Sequence, residues 1–163
     1  MAKHKVIILG PQCSGKTTLV RYLRKYDASL PITEEDEAFA RINGGTYPAD
    51  ISRKENVLRP RLEQEIRNAE NIIFVTSYCN PVLLGELKSK GYKIVQLTLD
   101  KVKLLERNKD RMKKDGYDDA RQWLDENLIF HQEVLSRGLV DKVIDVDCPV
   151  EIIAKRLLPF LKG

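Results

Sequence analysis

Eight residues near the start of the chain have the types and spacing to hold a string of phosphates: Gly10-Pro-Gln-Cys-Ser-Gly-Lys-Thr17, reading G-x-x-x-x-G-K-T. Gly10 and Gly15 permit backbone angles and close approaches that a side chain would block. The N–H groups of the loop, through Cys13, Ser14 and Gly15 and on to the helix start at Lys16, Thr17 and Thr18, can then point inward at an anion. Lys16 can reach the β- and γ-phosphates, and the Thr17 hydroxyl suits a place in the shell of a Mg²⁺ ion. The bland alternative is a chance glycine turn before a helix. The context outweighs it, because the apolar run Val6-Ile-Ile-Leu9 precedes the loop and a helix-like Thr17–Arg24 follows it. The pattern implies a nucleoside triphosphate with Mg²⁺, ATP being expected while ATP against GTP stays open.

A second group of residues offers cations. Arg107 and Arg111 lie four apart, so one helix face presents both guanidinium groups in the same direction. Phosphoryl transfer needs such charges near the equatorial oxygens as negative charge spreads over them. The same pair could instead sit on a solvated face with Glu106 and Asp110. Lys114, beside the Gly116 loop, stays open between these readings. Arg41, Arg53, Arg59 and Arg61 could bind an anionic substrate or be solvated, and Gly44-Gly45 could allow close approach of a substrate or simply turn the chain.

These residues must be placed by elements that the apolar pattern supplies. Val6–Leu9 reads as a strand and Thr17–Arg24 as a helix, with a weakly marked second strand over Ala28–Thr33. Thr33 and Asp36 resemble a capping box, which starts a helix over Glu34–Asn43. Ser52 and Glu55 form another such start, with Leu58, Leu62, Ile66 and Ala69 continuing at helical spacing. Pro60 is expected to kink or split that helix. Ile72–Val75 is a buried strand, Asn80-Pro81 opens a helix that Gly91 closes, and Tyr92–Leu99 is a fourth strand. Asp100 caps a helix carrying Leu104, Leu105 and Met112. Ala120, Trp123, Leu124, Leu128, Val134 and Leu135 line one face of the next helix, which closes at Gly138. Val143–Val146 is a fifth strand, and Pro149 opens a final amphipathic helix. The alternation implies one α/β domain over residues 1–163, with about five parallel strands, helices on both faces and a ligand at the strands' C-terminal ends.

Composition narrows the setting. The 163 residues carry a net charge of +4, too mild to require a nucleic-acid or membrane partner. Cys13, Cys79 and Cys148 are odd in number and widely spaced, as expected of free thiols in a reducing compartment. Met1–Lys5 leads straight into a strand and no apolar run suits a signal sequence or membrane span, so a cytoplasmic protein is expected.

By its G-P-x-x-S-G-K-T loop, its Leu99-Asp100 strand end and the Arg107-x-x-x-Arg111 helix, the chain resembles the small P-loop kinases. That group contains the nucleoside monophosphate kinases and the shikimate- and gluconate-type kinases. The resemblance implies a three-layer α/β/α fold with strand order 2-3-1-4-5. It also implies transfer of the γ-phosphoryl of ATP to a small molecule, with a basic lid near 107–119 and an acceptor region near 34–61. In the shikimate-type group a carboxylate after the second strand orients the acceptor hydroxyl or receives its proton. Here that stretch is Glu34-Glu-Asp-Glu37, which makes Asp36 the candidate base and Glu37 the substitute; acids in a first turn also simply favour the helix dipole. The implied catalytic set is Lys16, Arg107, Arg111 and Asp36.

The chain also departs from the group. Thr76-Ser-Tyr-Cys-Asn80 stands where nucleoside monophosphate kinases carry Asp-Gly-aromatic-Pro-Arg, and the triple glycine of shikimate kinases is missing. With no acid at the end of strand three, Ser77 or Asp36 would have to support Mg²⁺. Nucleosides and nucleotides are the first acceptors to consider, and the oligomeric state stays open. A nucleotide-gated binding protein or a polynucleotide 5′-kinase are the alternatives. Nucleic acid is not favoured, because no basic stretch is interleaved with aromatics. A GTPase switch is disfavoured because no Asn-Lys-x-Asp follows a strand.

Overall fold

The computed structural model describes residues 3–161. Five strands form one parallel sheet in the order β2-β3-β1-β4-β5: β1 Lys5–Leu9, β2 Ile32–Glu34, β3 Ile72–Thr76, β4 Lys93–Thr98 and β5 Lys142–Asp145. Helices cover both faces, as a parallel sheet requires. The central β1 shows the consequence of the two-residue period. Val6 and Ile8 enter a core with α1 (Lys16–Tyr26) and α8 (Val150–Leu161), whereas Ile7 and Leu9 enter the opposite core. That second core holds α2 (Glu35–Ile42), α4 (Arg59–Asn68) and α5 (Pro81–Ser89).

The α7 helix (Arg121–Ser136) contributes to both cores. Leu124 packs in the first, Phe130 and Val134 in the second. Its inward face therefore differs from the apolar stripe read from the sequence. Trp123 and Leu135 are each 49% exposed, while the polar His131 is buried. Met112 of α6 (Lys101–Lys114) is also exposed, and Leu104 carries that helix's packing.

Two helix starts move by a residue or more. The edge strand β2 is shorter and later than expected, running through Glu34, so Thr33 is still extended and cannot cap. Instead Glu37 reaches back to accept the Glu34 N–H at 3.0 Å, and α2 begins at Glu35. Further on, Asp50 rather than Ser52 is the cap, its carboxylate accepting from the Ser52 N–H at 2.9 Å. The helix that follows is neither sharply broken nor regular. Ile51–Arg53 (α3) passes into a π-helical turn, Lys54–Leu58, before α4 resumes with Pro60 in its first turn. A widened turn there absorbs the proline's missing donor. Elsewhere the expected caps are present: Asn80 accepts from the Val82 N–H at 2.9 Å and Asp100 from the Val102 N–H at 2.8 Å.

Candidate functional site

The G-x-x-x-x-G-K-T loop joins β1 to α1, and its first turn is pinned by the Gly10 N–H donating to Thr76 O at 3.1 Å. A Cβ on Gly10 would lie 2.7 Å from Ser14 Oγ and 3.1 Å from Lys16 Cγ, so any larger residue would displace those side chains. Gly15 has φ +89° and Cys13 φ +67°, both left-handed. A cysteine held there costs on the order of 1 kcal/mol or more. Alternating backbone hands turn successive N–H groups toward one concavity, the geometry of an anion nest.

Lys16 Nζ donates to Gly10 O at 2.8 Å and to Pro11 O at 2.9 Å, which lays the ammonium across the nest. Burial lowers its pKa to about 8, against the opposing pull of Cys13 and Glu34. Ser14 Oγ, inside the loop, is buried with no partner among the described residues. A buried hydroxyl left unpaired is unusual away from a binding site. Together with the nest, it fits a phosphate.

Thr17 donates its hydroxyl to Glu34 Oε1 at 2.8 Å. The acid beside the threonine thus comes from the end of β2, and neither Ser77 nor Asp36 occupies that place. No cluster of three or more His, Cys, Asp or Glu able to hold a metal exists among the described residues. A phosphate-borne Mg²⁺ needs only one or two protein ligands beside phosphate oxygens and water. Thr17 and Glu34 fit that requirement.

Both arginines of α6 reach the loop. Arg107 donates to Cys13 O at 3.4 Å and to Val146 O at 3.3 Å. Arg111 donates to Cys13 Sγ at 3.1 Å, and its guanidinium lies 4.3 Å from the centre of the Tyr117 ring. Cys13 to Thr18, Glu34 to Asp36, Ser77, Arg107, Arg111 and Lys114 all line one cavity of about 910 Å³ at the C-terminal end of the sheet. Glu37 is not among them. Arg24 holds its carboxylate at 2.8 and 3.1 Å, and it also caps α2, so Asp36 is the acid of this pair that faces the cavity.

The basic residues of 34–61 are engaged elsewhere. Arg41 pairs with Glu65 at 2.7 Å, and Arg53 donates to Asn43 at 3.0 Å. Arg59 donates to Glu55 at 2.5 Å and Glu35 at 2.9 Å. Burial opposes the Arg59 charge, and these carboxylates more than offset it, raising its pKa. Arg61 lines a separate surface hollow with Gln64 and Glu65. Gly44 and Gly45, at φ +79° and +109°, have nothing within 4 Å of a built Cβ; they serve a left-handed turn.

Four residues escaped the sequence reading. Glu34 supports Thr17, and Glu35 bonds both Arg59 and the Thr76 hydroxyl. Asn127 Oδ1 accepts from the Gln12 N–H at 2.9 Å, bracing the loop from α7. One turn on, His131 Nε2 meets Ser77 O at 3.1 Å, and Gln96 donates to the His131 carbonyl at 3.2 Å. Burial pushes the His131 pKa down to about 4. The neutral ring then places its proton on Nε2, where Ser77 accepts it. The signal was present as Leu124, Asn127, His131 and Val134 at helical spacing, but polar residues are not counted in an apolar stripe.

No family model and no curated protein matches the sequence. Solved structures do match the fold over nearly the whole chain. A shikimate kinase from Acinetobacter baumannii in complex with shikimate gives a TM-score of 0.67 at 20% identity, covering 96% of this chain and 91% of that one. The chain folds as a small P-loop kinase does. A gluconokinase from Sinorhizobium meliloti 1021 gives 0.63 at 18% identity over 97% and 91%. A shikimate kinase from Aquifex aeolicus gives 0.66 at 20% over 94% and 93%. At these identities the likeness is one of fold. Among the described residues, no helix is long and apolar enough to cross a membrane.

Proposed function

We propose that this protein is an ATP-dependent kinase that transfers the γ-phosphoryl group to a hydroxyl of a small molecule. One observation carries the reading: a single cavity holds an anion nest with Lys16, a threonine–carboxylate pair, two arginines and the separate carboxylate of Asp36. The fold's likeness to proteins described as shikimate kinase and gluconokinase supports it.

The triphosphate lies along the loop amides of Cys13 to Thr18, and Lys16 leaves its two carbonyl partners to meet the β- and γ-phosphates. Thr17, with Glu34 behind it, would hold a Mg²⁺ ion, which would supply positive charge to the phosphate oxygens. Arg107 and Arg111 come from the lid segment, 107–119, and stabilise charge that develops on the equatorial oxygens. Asp36 orients the acceptor hydroxyl and takes its proton. The hydroxyl oxygen bonds to the γ-phosphorus as the β–γ bridging bond breaks, ADP leaves, and Asp36 later returns the proton to water. Residues 34–61 form the acceptor wall. A cytoplasmic setting, with ATP and reduced thiols, goes with this reading.

The test is incubation with γ-labelled ATP, Mg²⁺ and a panel of nucleosides and hydroxyl metabolites. Label in an organic acceptor, absent with Lys16→Ala, is the expected result. Release of free phosphate alone across the panel would contradict it and favour a nucleotide-gated binding protein.

A further inference from the structure

We infer that the acceptor is an uncharged or positively charged hydroxyl compound, and that Glu35 excludes carboxylates and phosphate monoesters by occupying Arg59. The inference rests on the kinase reading and names its substrate class.

The cations that line the cavity are Lys16, Arg21, Arg107, Arg111 and Lys114. All come from the P-loop, α1 and α6, the elements that would surround the triphosphate on the kinase reading. On the wall built by β2 and α2, the charged groups that line the cavity are the carboxylates of Glu34, Glu35 and Asp36. A guanidinium beside that wall, Arg59, does not line the cavity. Its donors go to Glu35 at 2.9 Å and to Glu55 at 2.5 and 3.2 Å, and the guanidinium stacks 5.1 Å from the centre of the Phe39 ring. Glu35 is fixed in turn by the Thr76 hydroxyl at the end of β3.

The Glu35 and Arg59 side chains are only 16% and 20% exposed, so solvent does not screen this pair as it would a surface one. An acidic ligand would need a cation to pair with and would find an arginine already satisfied behind a row of carboxylates. Exclusion by like charge and by a withheld partner is how a site discriminates against an anion of otherwise suitable shape. The same row offers acceptors to hydroxyl or ammonium donors, which suits a polyol, a nucleoside or an amino sugar.

Matched pairs test this directly, each with Mg²⁺ and γ-labelled ATP: glucitol against gluconate, adenosine against AMP, and glucosamine against glucosamine 6-phosphate. Binding of each probe is measured in parallel by thermal shift with a non-hydrolysable ATP analogue, which reads recognition even if no label moves. Wild type is expected to prefer the member without the acid in binding and in labelling. Glu35→Gln, judged folded by unchanged affinity for the ATP analogue, should shift the gluconate-to-glucitol ratio toward gluconate by at least about tenfold; Glu35→Ser is the second variant. Wild-type preference for the acidic members, or an unmoved ratio in both variants, would overturn the inference. Label reaching no acceptor would strike the kinase reading instead, and the binding ratios would still decide the acceptor class.

Discussion

The loop side of the cavity draws its main-chain groups from one run of chain, Gly10 to Thr18, whereas the opposite wall takes its polar side chains from Glu35 and Thr76, far apart in sequence, with Arg59 held behind Glu35. On the first side the main chain lines the nest, with close approach at Gly10 and left-handed backbone at Cys13 and Gly15. On the other side, side-chain pairs across elements decide which groups face inward. A phosphate chain is the same in every nucleotide, so a local motif can serve it. An acceptor differs from protein to protein, and its wall depends on pairings that only the tertiary fold creates.

Substitutions on the two sides should therefore fail differently. Lys16→Ala is expected to have the largest effect, a loss of transfer of about a thousandfold or more, with the melting temperature retained. Activity near wild type in the folded variant would remove the nucleotide side's role. Asp36→Asn should cost about 10²- to 10³-fold in kcat while ATP affinity changes little, since it acts on the acceptor hydroxyl. Parallel loss of ATP binding, measured by calorimetry, would place Asp36 with the triphosphate and blur the division. Glu34→Gln should raise the Mg²⁺ concentration needed for half-maximal rate by about 10- to 100-fold, because it supports Thr17 from behind.

Two pH effects are smaller and separate the sides again. Lys16 has its pKa lowered by burial to about 8 in the free protein, and a bound triphosphate favours its charged form. ATP affinity should hold below pH 8 and fall as pH rises above it, by up to about tenfold per unit. A flat profile from pH 7 to 9.5 would contradict this. His131, beneath Ser77, has its pKa depressed from 6.5 to about 4 by burial. The stability of the neutral ring is fully present above about pH 6.5 and is lost as pH falls toward 4, about 3 kcal/mol at most. Denaturant unfolding of His131→Asn should show a flatter dependence across that window.

The sheet was legible in the sequence because parallel strands buried on both faces read as apolar runs, and Val6–Leu9 and Ile72–Val75 are such runs. The loop was legible because its function needs fixed glycines at fixed spacing. What escaped detection was polar and long-range. Asn127 and His131 sit on the inward face of α7 because Gln12 and Ser77 present main-chain groups there, a fact of packing that no local window contains. Trp123 falls on the apolar stripe by hydrophobicity alone, yet it is exposed. In sequence Glu34 and Glu35 are simply part of an acidic first turn, and only the register of β2 on β3 separates their tasks. The basic residues of 34–61 likewise gained their partners only in the fold.

The most direct measurement is single-turnover transfer from γ-labelled ATP to a hydroxyl acceptor by wild type, Lys16→Ala and Asp36→Asn in parallel. Labelled product in wild type, none with Lys16→Ala, and slow transfer with intact ATP binding in Asp36→Asn is the expected result. Labelled phosphate without labelled product in wild type, or equal rates in all three, would contradict a kinase centred on this cavity.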